Sequence, residues 1–188
     1  MILKKQIDKF ENIIGYNFKD KSILKQSLTH PSSLKDKNIL FKYPNNFERL
    51  EFLGDRVLGL IVSNLLFHKY ENFNEGDLSK KYSYLVQKNF LHKISEELFI
   101  RDILVYNFKK NNQKMLMSIL SDSVESLIGA IFIDGGYKAS YNFIKKFWSK
   151  YLDIKILKTE DPKTVLQELS QQKLKKLPEY KMINKKGP

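Results

Sequence analysis

The stretch FERLEFLGDRVLGLIV, Phe47 to Val62, decides how this chain is read. It sets Glu48, Glu51 and Asp55 into an otherwise apolar, helix-forming run. At about 100° per residue the three carboxylates fall within about 60° of one another, so a helix gathers them on one face. The helix is expected to run to about Tyr70, capped by Asn45 or Asn46. Leu50, Phe52, Leu53, Val57, Leu58, Ile61, Val62, Leu65 and Leu66 cover most of its circumference. Such a helix must be buried on more than one side, as the centre of a bundle or at a contact with a partner subunit.

Helical periodicity extends outward in both directions. Before the opening stretch, QIDKFENII carries Ile7, Phe10, Ile13 and Ile14 at helical spacing, and Gly15 follows as a C′ residue. Asp20 caps a second helix, which stops near His30-Pro31. Lys35 to Asn46 reads as a loop. After the opening helix, Asp77 in NEGDLSKK is the expected cap of a helix through Leu78, Tyr82, Leu85, Phe90 and Leu91. Residues 101–114 read as a loop or short helix. SILSDSVESLIGAIFIDGG is then a second buried helix, closed by Gly135-Gly136, and Phe143, Phe147, Trp148 and Leu152 mark a further amphipathic one. No strand is expected in residues 1–158. The tail changes character: from Asp161 to Pro188 it holds seven lysines and three acids. TVLQELSQQKL reads as a short helix and EYKMI as a short strand, too little to bury a core alone.

The chain has 188 residues, 42% of them hydrophobic, which suits one domain or one domain with part of another. Cysteine is absent, which excludes disulfides and thiolate metal sites and fits a reducing compartment. The N-terminal MILKKQIDKFENII has no apolar h-region, so no signal peptide is expected. The longest apolar run, VLGLIVSNLLF, is too short and interrupted to span a bilayer. These features predict a soluble, cytoplasmic protein with no membrane partner. The net charge of +12 favours acidic partners: nucleic acid, acidic lipid or acidic protein. Only Arg49, Arg56 and Arg101 are arginines, and lysine suits phosphate-backbone contact more than base reading.

Asp122 and Glu125 form a second acidic pair, at i and i+3, on the later buried helix. Neither carboxylate set carries a lysine or arginine at a neutralising helical position. Like charges at such spacings cost a few tenths of a kcal/mol each even when exposed, and more beside leucines. Four or five hard oxygen donors from two helices make a Mg²⁺ or Mn²⁺ site, which removes the repulsion and can activate water against a phosphodiester. The competing reading is a first-turn acid favoured by the helix dipole beside solvated surface acids. A carboxylate-bridged di-iron bundle would want Glu-x-x-His, and none of His30, His68 and His92 supplies it. Walker A, Gly-x-Ser-x-Gly and HExxH are also absent. His30 is expected to be a structural residue at a helix end.

ERLEFLGD, Glu48 to Asp55, resembles the signature of the ribonuclease III family, and so does LSDSVESLIGAIFIDGG, Leu120 to Gly136. LTHPS around His30 and EGDLS at Glu75–Ser79 follow in the family's order. DPKTVLQELSQQ, Asp161 to Gln172, resembles the start of the family's double-stranded-RNA-binding domain. The resemblance implies an all-α catalytic domain over residues 1–158. Residues 159–188 would be a linker and the incomplete start, helix and first strand, of an α+β RNA-binding domain.

Several roles follow from the same resemblance. Glu51, Asp55, Asp122 and Glu125 match the principal Mg²⁺ ligands, with Mn²⁺ a plausible substitute; Asp55 and Glu125 also count among the catalytic residues. Glu48 and Glu75 match further catalytic acids lining the cleavage site. Phe52 matches a residue packing across a homodimer axis. Thr164, Gln167, Glu168 and Gln171 match RNA-contacting positions of the minor-groove helix, in domains that read shape and 2′-hydroxyls. The implied activity is metal-assisted hydrolysis of double-stranded RNA, with the carboxylates as ligands rather than covalent nucleophiles. Its products carry 5′-phosphate and 3′-hydroxyl ends with short 3′ overhangs, its substrates include ribosomal-RNA precursors, and no organic cofactor takes part.

Two features depart from the family pattern. Arg56 stands where many members have a small residue, often serine; it is expected to pair with a nearby carboxylate or approach RNA phosphate without touching the metal-matching positions. The sequence also reaches only KKGP, early in the RNA-binding domain, so duplex affinity is expected to suffer. Two other readings keep the same fold: a non-catalytic RNA-binding relative, which loss of Asp55 or Glu125 would have signalled, and a DNA-processing relative.

Overall fold

The apolar run from Phe47 becomes a 24-residue helix, and the larger part of the protein packs around it and one other helix. The structure is a computed structural model and describes residues 4–33, 46–107, 112–153 and 162–181. Helices α1 (Lys4–Ile14), α2 (Lys21–Ser27), α3 (Asn46–Lys69), α4 (Glu75–Val86), α5 (Lys88–Glu97) and α6 (Gln113–Trp148) belong to a unit spanning Met1–Ile154. Short 3₁₀ turns lie at Pro31–Ser33, Ile100–Asp102 and Ser149–Tyr151. Helix α7 (Pro162–Leu174) lies in a second unit, Lys155–Pro188. Among the described residues the only β pairing is an isolated parallel bridge between Thr29 and Val105. The architecture is all-α, as the periodicity implies.

Local chemistry explains most boundaries. In α1, Ile7, Phe10 and Ile14 are buried, and Gly15 ends the helix at φ +72°. Asp20 caps α2 by accepting the Ser22 N–H at 2.7 Å. The cap of α4 is Asn74 and not Asp77. Asn74 is extended and its Oδ1 accepts the Asp77 N–H at 2.9 Å, so Asp77 lies inside the first turn as the residue being capped. Asn112 caps α6 through the Met115 N–H at 3.0 Å. Gly136, at φ 71° and ψ −167°, interrupts α6 where the Gly-Gly pair predicts a stop, and the helix resumes beyond it.

Helices α3 and α6 make the most extensive contact in the molecule. Their backbones nearly touch. A Cβ on Gly54 would lie 1.7 Å from the Glu125 carbonyl oxygen, and one on Gly129 would lie 2.1 Å from that of Leu50. The buried Ser126 Oγ donates to the Phe47 carbonyl at 3.2 Å, pinning the start of α3 onto α6. Around this crossing, Leu58, Ile61, Val62, Val124, Leu127, Ile128 and Ile131 are buried. Trp148 closes the far end, its indole N–H donating to the Leu85 carbonyl at 3.0 Å. By length and composition Gln113–Tyr151 could cross a membrane, with a mean hydropathy of 1.6, but 61% of that apolar window is buried inside the protein. Its apolarity serves the core.

Asp134 ties the segment between α1 and α2 to α6. Its carboxylate accepts from the Tyr16 hydroxyl at 2.7 Å, the Lys19 N–H at 2.9 Å and the Asp20 N–H at 2.9 Å. Bonds to a charged acceptor contribute about 1.5–3 kcal/mol each where buried and less where exposed. Asp134→Ala is therefore expected to cost about 2–3 kcal/mol, read as a lower urea midpoint at unchanged slope. A midpoint equal to the native one would show that this clasp contributes nothing.

In the second unit, α7 carries exposed Leu166, Leu169 and Leu174. With Leu177, Pro178 and Glu179 they border an open cavity of about 750 Å³. The expected strand at EYKMI is corrected in part: Glu179–Lys181 carry no strand, and Met182 and Ile183 lie outside the described residues. A short strand needs a neighbour to satisfy its backbone, and the described residues offer none there.

Candidate active site

The acidic faces of α3 and α6 meet just beyond the glycine crossing. His30, Phe47, Glu48, Glu51, Phe52, Asp55, Asp122 and Glu125 line one cavity of about 670 Å³. Carboxylate oxygens of Glu51, Asp122 and Glu125 lie within 4.8 Å of one another, each side chain partly buried. The juxtaposition follows from packing: Gly54 sits against Glu125, so the turn carrying Glu51 must face the turn carrying Asp122 and Glu125.

The electrostatics match that geometry. Burial pushes the Glu125 carboxyl up to about 8, helped by the negative charges of Asp55, Asp122 and Glu51. Burial likewise pushes Glu51 up to about 7, with Asp122 the next cause. Three hard oxygen donors within 4.8 Å of one another, two of which resist ionising, fit a divalent cation with oxygen preference, Mg²⁺, Mn²⁺ or Ca²⁺. No nitrogen or sulfur donor belongs to the trio, which argues against zinc or copper.

The raised carboxyls make stability depend on pH in a definite direction. Both folded values exceed the ordinary glutamate value of 4.5, so above that pH the folded chain holds protons that the unfolded chain releases. Their stabilising contribution is full below the unfolded value and is lost as pH rises through the folded values. In a chelator, thermal stability is therefore expected to fall between about pH 5 and about pH 8, and adding Mg²⁺ at the alkaline end should restore it. A melting temperature that is flat over that range and indifferent to Mg²⁺ would contradict the shifts.

Other site residues fall into place unequally. Glu48, exposed in the first turn of α3, and Asp55, partly exposed, line the cavity but stand outside the close trio. Glu75 is exposed at the start of α4, where its carboxylate accepts from Ser79 Oγ at 2.7 Å; it does not line the cavity. Phe52 is 66% exposed at the cavity edge, and Leu60 and Phe67 continue an exposed apolar stripe along α3. In α7, Gln167 is partly exposed and Gln171 exposed; the side chains of Thr164 and Glu168 lie outside the described residues.

Two expectations about counter-charges are overturned. Arg56 does touch a metal-matching position: its guanidinium pairs with Asp55 Oδ2 at 2.6 Å and lies 5.5 Å from the Phe52 ring centroid. The Asp122 carboxylate is also not free of a cation, since Lys88 Nζ reaches its Oδ1 at 3.1 Å. Helical spacing tests only i±3 and i±4 neighbours, and Lys88 comes from a different helix. His30, expected to be structural, is on the cavity wall. Its Nδ1 accepts the Ser32 N–H at 3.1 Å, which leaves the proton of the neutral ring on Nε2. Burial lowers its basicity, while Asp122 and Glu48 pull the other way.

A helical bundle whose two longest helices converge on three oxygen donors is the frame of a metal-dependent hydrolase. A family model described as Ribonuclease-III-like matches residues 20–152. The chain is 36% identical to Ribonuclease 3 of Rickettsia prowazekii (strain Madrid E) over 182 residues, covering 96% of this chain and 80% of the relative. It is 38% identical to Ribonuclease 3 of Bradyrhizobium diazoefficiens over 177 residues, covering 93% and 70%. The nuclease domain of ribonuclease III from Campylobacter jejuni superimposes with a TM-score of 0.68 at 39% identity, over 79% of this chain and 99% of that one. The chain belongs to the ribonuclease III family and is an endonuclease of that family.

Proposed function

We propose that this endoribonuclease cuts double-stranded RNA by hydrolysis, leaving 5′-phosphate and 3′-hydroxyl ends with short 3′ overhangs. Its substrates are structured RNA, ribosomal-RNA precursors among them, in the cytoplasm. The observation that carries this reading is the convergence of Glu51, Asp122 and Glu125 within 4.8 Å, in a cavity open to a polymer. Glu51, Asp122 and Glu125, with Asp55 beside them, would hold Mg²⁺, or Mn²⁺ in its place. Bound there, the cation would make a coordinated water easier to deprotonate and would offset charge growing on the phosphoryl group.

The side chains of this chain do the positioning. Glu51 comes from α3 and Asp122 and Glu125 from α6, so both helices would contribute to holding the ion. The elevated affinity of Glu125 for protons marks the place where positive charge is most needed. Glu48 lines the same cleft and adds to its negative field. Glu75 belongs to the reading only as a further acid at the cleavage site of the assembled enzyme.

The exposed stripe of Phe52, Leu60 and Phe67 supports assembly as a homodimer. The Campylobacter jejuni structure is described as having a region involved in dimer formation. Residues 1–158 act as the catalytic domain. Residues 159–188 act as a linker and the start of a double-stranded-RNA-binding domain, with Thr164, Gln167, Glu168 and Gln171 toward the minor groove.

The test is incubation of the chain with matched RNA and DNA duplexes, with and without Mg²⁺, followed by analysis of the ends. Cutting of RNA alone, dependent on Mg²⁺ and leaving 5′-phosphates, is the expected result. Cutting of DNA instead would favour a DNA-processing enzyme, and 5′-hydroxyl ends would rule out this chemistry.

A further inference from the structure

Lys88 opens α5 and is held at both ends. Its backbone carbonyl accepts from Ser121 Oγ at 2.9 Å, and Ser121 is fully buried. Its ammonium donates to Asp122 Oδ1 at 3.1 Å and to Ser118 Oγ at 3.0 Å. The three partners lie within little more than one turn of α6, immediately before Glu125. An ordinary surface lysine spends entropy to stay in one place and gains little from an exposed ion pair. Here the backbone anchor places the ammonium at the acidic cleft, while 65% of the side chain stays exposed and open to a polymer.

The charge balance of the cleft explains what such a cation is for. Glu48, Glu51, Asp55, Asp122 and Glu125 line it. One divalent cation offsets two of those charges, and a phosphodiester adds another negative charge as it enters. Residual repulsion would push the substrate away unless positive charge also stands at the entrance. The ammonium of Lys88 stands beside the cavity, 3.1 Å from the Asp122 carboxylate that lines it, and acts on Glu51 and Glu125 as well. Lysine binds phosphate as a point charge from a flexible stem, so it can leave the Asp122 oxygen without moving the backbone.

We propose that Lys88 is a substrate contact of the cleft, its ammonium gripping a phosphate of the RNA strand next to the carboxylate trio. The proposal rests on the hydrolase reading above and adds a residue to it.

The test compares the native chain with Lys88→Gln and Lys88→Arg. Duplex RNA binding is measured in Ca²⁺, which takes the same hard oxygen donors, over a range of salt. Cleavage constants are measured in Mg²⁺, along with the Mg²⁺-induced rise in melting temperature. Lys88→Gln is expected to lower kcat/KM by about tenfold or more and to make the salt slope of binding shallower by about one. The Mg²⁺-induced rise should be undiminished, and Lys88→Arg should restore most of both losses. An unchanged salt slope and unchanged kcat/KM would overturn the proposal. So would a cleavage loss accompanied by weaker Mg²⁺ stabilisation at native RNA binding, since the lysine would then only hold Asp122. A native chain inert toward duplex RNA is a different failure, recognisable because it involves no substitution, and it sinks the hydrolase reading itself.

Discussion

Glu125→Gln is expected to lower Mg²⁺-dependent cleavage of duplex RNA by about a thousandfold or more while leaving the fold intact. The argument has two parts. Glu125 is the carboxyl pushed furthest up among the cleft acids, to about 8, so near neutral pH without a cation it is mostly protonated. Glutamine is close to isosteric with that neutral form, and it removes the like-charge repulsion from Asp55, Asp122 and Glu51. Stability in a chelator should therefore be unchanged or slightly higher. Under turnover the demand reverses, because a neutral amide oxygen is a poorer donor to a hard cation than a carboxylate. A thousandfold loss corresponds to about 4 kcal/mol of transition-state stabilisation, within what a metal centre supplies. The Mg²⁺-induced rise in melting temperature should shrink in parallel. Cleavage within tenfold of native at low Mg²⁺ would remove Glu125 from the metal centre.

The second large effect is structural. Gly129→Ala places a methyl group 2.1 Å from the Leu50 carbonyl oxygen, and Gly54→Ala places one 1.7 Å from that of Glu125. Both obstacles are backbone, so no side chain can swing aside. The α3–α6 crossing must open, and the buried residues along it lose contact together. Alanine's better helix propensity returns only about 1 kcal/mol. Each substitution is expected to cost about 4 kcal/mol or more net, lowering the melting temperature by roughly 8–16 °C. Gly76→Ala is the control, because its Cβ would meet only the tip of the Asn74 side chain at 3.4 Å. Its stability should equal the native value or exceed it by up to about 1 kcal/mol. Gly129→Ala should also depress cleavage beyond its effect on folding, since opening the crossing parts Glu51 from Glu125. A native melting temperature in Gly129→Ala would mean that the helices do not cross so closely.

Much of the architecture was legible because it is local. A 3.6-residue period predicts α3 and α6 from their own side chains, and the Asp20 cap and the stop at Gly136 are likewise decided within a few residues. The misreadings have the same origin. Asp77 and Asn74 are both good caps, and only the backbone at Asn74 chooses between them. Lys88 lies thirty-four residues from Asp122, and no spacing rule connects them. His30 gave no sign of facing the cleft, because that placement depends on the Leu28–Val105 and His30–Val105 backbone bonds across the chain.

By itself the sequence determined that two long helices would each carry an acidic face within an apolar surround, since the angle between side chains on one helix follows from their spacing. Only the tertiary structure decided that those faces meet, which oxygens come close, and which cations stand beside them. Those relations are set by how near two backbones can approach at Gly54 and Gly129, a distance that depends on both helices at once.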